Sequence, residues 1–177
     1  MRARWRLIVV VLAVVVHAGC GYSLAGRGSF LPAYIKRIGV PQFTNNTAVF
    51  ELDRQVTDRV RSEFIGRGKW TIVPEATGVD GLVTGVISSV TLTPVAFNTA
   101  QQATRYALTL SASVEFKDMR TNTVLWSNPS MQYREEFALN PTSALDTATF
   151  LGQDLNARER MANEFARALV SAILEAF

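Results

Sequence analysis

Arg105-Tyr106-Ala107-Leu108-Thr109-Leu110-Ser111-Ala112-Ser113-Val114-Glu115-Phe116-Lys117 carries the clearest structural signal in the chain. The even positions hold Tyr106, Leu108, Leu110, Ala112, Val114 and Phe116, and the odd ones include Thr109, Ser111, Ser113, Glu115 and Lys117. Side chains alternate faces along a strand, so period two predicts one packed face and one facing water or a polar surface.

Upstream, Leu82 to Val95 shows the same alternation with a change of phase. Val83 and Ile87 use odd positions, whereas Val90 and Leu92 use even ones. The shift at Ser88-Ser89 predicts a β-bulge. The stretch between the two segments, Ala96 to Thr104, reads as a hairpin end carrying Phe97. Downstream, Val124 to Trp126 and Met131 to Phe137 read as one further strand interrupted at Pro129. A proline there argues for an edge.

Helical spacing brackets these strands. After a short apolar strand, Ile35 to Phe43, the polar run Thr44-Asn45-Asn46-Thr47 offers an N-cap. Val49, Leu52, Val56, Val60 and Phe64 then recur at steps of three and four, with Asp53, Arg54, Asp58, Arg59 and Arg61 elsewhere. Gly66 and Gly68 are placed to end that helix, and Trp70 to Val73 reads as a strand stopped by Pro74. Beyond a polar stretch, Asn140 to Gly152, a final helix shows Ala162, Phe165, Leu169, Ile173 and Ala176 on one face. The order predicts an α+β two-layer sandwich, with two helices on one face of a mostly antiparallel mixed sheet of about four to five strands.

The N-terminus carries a different kind of signal. Arg2, Arg4 and Arg6 precede an apolar run, Leu7 to Val16, followed by Ala18, Gly19 and Cys20. That is the layout of a signal peptide over residues 1–19. The run is shorter than the ~20 residues a bilayer span needs. Two small residues before a cysteine resemble a lipobox, with His17 standing where an aliphatic residue is usual. Such signals lead to lipidation at Cys20, with palmitate-type acyl chains that anchor a protein stably without a helix in the bilayer. Gly21 in place of an acid points to the outer membrane, so the expected address is its periplasmic side. Ordinary secretion with a free Cys20 is the plainer alternative. Residues 20–34 then read as lipidated N-terminus and tether, and residues 35–177 as a single domain.

Removing the leader narrows the functional classes. The chain has 18 Lys+Arg and 15 Asp+Glu, and the three leader arginines account for the whole excess. A neutral mature part gives no support to nucleic-acid binding. The single histidine, His17, leaves with the leader, and the single cysteine is the lipid attachment point. Ser–His, Cys–His and His-ligated metal chemistry then lack their residues. A binding or assembly module without cofactor is expected. A carboxylate-based hydrolase is the distant alternative.

Cys20-Gly21-Tyr22-Ser23-Leu24 resembles the mature start of the lipopolysaccharide-assembly lipoproteins, the LptE family. The similarity extends through the strand–helix–strand order, the hairpin ending in Arg105-Tyr106, the Val124-Leu125-Trp126 strand and Tyr133-Arg134-Glu135-Glu136-Phe137. The resemblance implies an outer-membrane lipoprotein that plugs a β-barrel translocon subunit (LptD-like), helps it fold, and contacts lipopolysaccharide on its way to the cell surface. The family's basic contact positions fall near Asn98 and Asn140 here, neither of them basic. Arg105 and Arg134 become the candidates for phosphate, and Phe97, Thr109 and Ser111 the candidates for barrel or lipid contact. A solvated strand end is the plainer reading of the arginines, and a wet sheet face that of the hydroxyls. An outer-membrane lipoprotein activating a periplasmic cell-wall synthase is the alternative function.

Overall fold

The computed structural model describes residues 31–68, 70–138, 150 and 155–176. The leader, Cys20, most of the tether and most of Asn140 to Gly152 lie outside the described residues. In chain order the elements are β1 (Arg37–Gly39), β2 (Thr44–Asn45), α1 (Leu52–Arg67), β3 (Thr71–Val73), β4 (Gly81–Phe97), β5 (Ala103–Asp118), β6 (Thr123–Ala138) and α2 (Leu155–Leu174).

The strands form one six-stranded sheet in the order β3-β1-β4-β5-β6, with β2 also pairing β4. The β1–β3, β1–β4 and β2–β4 pairs are parallel, and the long β4–β5 and β5–β6 pairs are antiparallel. An α+β fold with a mixed open sheet is therefore present, with one strand more than the sequence suggests. The extra strand arises because the apolar run from Ile35 does not stay extended through Phe43. It pairs only over Arg37–Gly39, and pairing resumes at Thr44–Asn45 beside Val86 and Ile87.

Alternation in β5 translates directly into burial. Leu108, Leu110, Ala112 and Phe116 are fully buried and Val114 nearly so. They share one core with Val56, Val60 and Phe64 of α1 and with Met161, Phe165, Leu169 and Ile173 of α2. The predicted bulge is present, as a register shift between Ile87 and Ser89. It moves the apolar phase from Val83 and Ile87 to Val90 and Leu92, so the same face of β4 stays inward. β6 runs unbroken through Pro129 at the sheet's edge. The register shift between its partners Ala112 and Val114 absorbs the proline, which cannot donate to a ladder.

Gly85 shows how closely the edge segment packs. A Cβ there would stand 2.4 Å from the Phe43 ring, so a bare backbone lets Phe43 lie flat on β4. Thr57 completes the join: its hydroxyl accepts from Phe43 N at 3.0 Å and donates to Asp53 O at 2.6 Å. This buried polar group is fully satisfied, as the cost of leaving it unpaired demands.

The N-cap expected in Thr44-Asn45-Asn46-Thr47 is not made. Helix α1 starts at Leu52 behind Glu51, which sits in the left-handed region at φ 57 with no side-chain cap bond. The polar groups are committed elsewhere. Asn45 accepts from Thr47 N at 3.0 Å and donates to Val49 O at 2.8 Å, folding the loop on itself. Val49 consequently packs in the core from ahead of the helix. Gly66 falls inside α1, and Gly68 takes the C-cap in extended conformation. Ala176 lies exposed past the end of α2.

Candidate functional site

With the helices on one side, the other face of β4, β5 and β6 is left uncovered by any described element. The strand register builds it in rungs across three strands. Ser89 pairs with Ser111 and Ser111 with Gln132; Thr91 pairs with Thr109 and Thr109 with Arg134; Thr93 pairs with Ala107 and Ala107 with Glu136. Ser113 extends the hydroxyl row toward the base of the sheet, opposite Val86. The matching rungs on the helix side read Val90, Leu110, Tyr133 and Leu92, Leu108, Glu135. One sheet thus presents mainly hydroxyls and charges on one face and mainly hydrocarbon, joined by Tyr133 and Glu135, on the other.

Register brings the five described candidate residues onto the distal half of this hairpin sheet. Thr109 and Arg134 are direct partners, and Ser111 lies one rung further toward the base. Arg105 pairs with Ala96 on one side and Ala138 on the other. Phe97 pairs with Ala103 and is 56% exposed at the end of β4. Cys20, the sixth candidate, lies outside the described residues.

Arg105 and Arg134 converge on a carboxylate to which sequence reading gave no role. Arg105 Nη1 lies 3.5 Å from Glu136 Oε2, and Arg134 Nη2 lies 3.6 Å from Glu136 Oε1. All three side chains are about half exposed, so these pairs hold geometry more than they add stability. The cluster carries a net single positive charge. An incoming phosphate would compete with Glu136 for two guanidinium groups whose planar donors suit bidentate contact.

The hairpin end is built without a basic residue for a structural reason. Asn98 Oδ1 accepts from Ala100 N and Gln102 N, both at 2.9 Å, and its amide donates to Gln102 Oε1 at 3.0 Å. That side chain organises the turn. Asn140, the other position singled out, lies outside the described residues.

A second polar cluster lies at the opposite end of the sheet. Leu31 is already buried, and the Tyr34 hydroxyl donates to Asp118 Oδ2 at the end of β5. The final residues before the domain boundary read from sequence therefore pack on the fold. The Tyr34 bond, with backbone N–H groups of Arg120 and Thr121, holds the Asp118 carboxyl below its usual range, and the same bond raises the Tyr34 phenol. Arg120 stacks 5.0 Å from the Tyr34 ring centroid. Asp80 accepts from Lys36 N and Arg37 N at 3.0 Å each, which lowers its pKa. On the helix side, burial and then a 3.1 Å bond to Glu135 push the Tyr133 phenol up to about 12. Among the described residues no three His, Cys, Asp or Glu side chains gather as a metal site, and no helix is long and apolar enough to cross a membrane.

A family model described as lipopolysaccharide-assembly, LptE, matches residues 35–173. The chain belongs to the LptE family. The match spans the described domain from the residue after Tyr34 to the last turn of α2, so the exposed sheet face is part of an LptE fold. No curated protein matches the sequence. Among solved structures, a hypothetical protein of Chlamydia trachomatis superposes with a TM-score of 0.50 at 13% identity, covering 80% of this chain and 99% of that one. It shares the fold. Rare lipoprotein B of Shewanella oneidensis gives 0.47 at 16% identity, covering 77% and 96% of the two chains. A chain of the PelC dodecamer of Paraburkholderia phytofirmans gives 0.48 at 10%, covering 81% and 92%.

Proposed function

We propose that this LptE-family protein is an outer-membrane lipoprotein, acylated at Cys20, that plugs a β-barrel translocon subunit and assists lipopolysaccharide delivery to the cell surface. The observation that carries this reading is the uncovered polar face of β4, β5 and β6 in a domain whose other sheet face is filled by helices. A barrel lumen is polar, and a plug meets it through a wet interface of hydrogen bonds with few net charges. Rows of Ser and Thr with an Arg–Glu–Arg cluster of one net positive charge suit that surface. Phe97 at the hairpin end and the guanidinium groups of Arg105 and Arg134 are assigned to barrel or lipopolysaccharide contact. The role is one of assembly, with no catalytic residues assigned.

Depletion tests the reading. It should lower the amount of correctly folded barrel and reduce lipopolysaccharide at the cell surface, and a large β-barrel should copurify with the intact lipoprotein from solubilised outer membranes. Absence of any barrel, with unchanged surface lipopolysaccharide, would replace this role with activation of a periplasmic cell-wall synthase.

A further inference from the structure

β6 ends the sheet, and no described strand pairs with its outer edge. Pro129 and its register shift close that edge on one side, leaving Ser130–Ala138 as an open extended run. Exposed edges of this length present unpaired backbone donors and acceptors, and proteins either guard them or use them. The side chains here are ordered in a way that distinguishes the two. Gln132, Arg134, Glu136 and Ala138 point to the open face, while Met131, Tyr133, Glu135 and Phe137 point to the helix side.

We propose that two copies of this chain pair through their β6 edges, antiparallel and centred on Glu135, joining two sheets into one continuous polar face. Only residues of equal parity can stand opposite each other in an antiparallel pair, so few registers are available. Centring on Arg134 sets that arginine against its own copy, and centring on Glu136 does the same for the glutamate. Centring on Glu135 sets Arg134 against the partner's Glu136 and Glu136 against the partner's Arg134. With the 3.6 Å pair already present within each strand, the four groups form a square of alternating charge. On the other face Tyr133 meets the partner's Phe137, an aromatic cross-strand pair. The two Glu135 carboxylates meet at the axis. Each is attended by its own Arg160 at 3.4 Å and by Tyr133 Oη at 3.1 Å, which offsets their repulsion. This pairing goes beyond the plug reading and belongs to the chain outside a barrel, because a lumen enclosing one copy would keep a second from its β6 edge.

The test uses the full lipidated chain in detergent, followed by sedimentation over a wide concentration range. A reversible monomer–dimer equilibrium is expected. Arg134→Glu places like charges opposite each other at two symmetry-related positions, as does Glu136→Arg. Each should raise the dissociation constant about tenfold or more, with the thermal melt showing a folded domain. The combined Arg134→Glu/Glu136→Arg chain restores the opposite-charge square and should return the constant toward the native value. That recovery is not available to a surface that merely loses solubility. Monomer at every concentration would overturn the proposal and leave the charges as guards of the edge. So would a dimer indifferent to all three variants, which would mark association through the lipid anchors. A double variant as weak as the single ones would also overturn it. So would capture of a different protein on β6 while the chain alone stays monomeric.

Discussion

Leu110 and Ser111 are neighbours in the chain and stand on opposite sides of one sheet. Leu110 has no exposed surface and lies in the cluster shared with both helices. Ser111 lies between Ser89 and Gln132 on the face that no described element covers. The backbone is the same; the two faces answer to different demands. The inner face is selected for volume and loses stability with every unfilled or overfilled space. The outer face packs against no described element, so its residues can change with little effect on the isolated domain.

Substitution at these two positions separates the demands most sharply. Leu110→Asp buries an unpaired carboxylate and should cost about 3–5 kcal/mol, enough to unfold much of the protein. Ser111→Asp should change stability by about 0.5 kcal/mol or less. Thermal melts of the two variants check this, and equal losses would overturn the register. A smaller effect is expected where the inner face is already full. Gly85→Ala drives a methyl group into the Phe43 ring and should cost about 1–3 kcal/mol, through overpacking instead of charge.

The polar cluster at the base of the sheet belongs to the stability side of the comparison as well. Asp80 and Asp118 have folded pKa values below the ordinary 3.8. Their contribution is therefore complete above that value and is lost as pH falls through the lower folded values. Unfolding free energy measured against pH should drop on the acid side of 3.8. Tyr34→Phe removes the main cause of the Asp118 shift and should make that drop shallower. An unchanged acid limb would show that the Tyr34–Asp118 bond does not hold the ionised carboxylate.

Much of the inner face was legible in the residue pattern. The alternation in β5, the bulge at Ser88-Ser89 and the stripe from Leu52 to Phe64 are all local, and local periodicity reports which face is buried. Thr44 to Thr47 have the composition of an N-cap, yet helix α1 starts behind Glu51 with no side-chain cap bond. Only the pairing of Thr44–Asn45 with β4 shows that these residues end a strand and brace a loop. The outer site was legible as a set of residue types but not as a constellation. Glu136 joins Arg105 and Arg134 through the registers of two strands, and Tyr34 meets Asp118 across 84 residues of sequence. No local pattern encodes either meeting. Cys20 is legible as a motif alone.

In the proposed function the outer face of β4, β5 and β6 is a contact surface for a barrel. Thr109→Arg and Ser111→Arg, each adding bulk and a charge to that face, test it most directly. The measurement is the amount of β-barrel protein copurifying with each variant from native outer membranes, normalised to the lipoprotein recovered. A marked loss of barrel is expected for both variants, with melting temperatures close to the unmodified protein. Undiminished barrel recovery from both folded variants would contradict it.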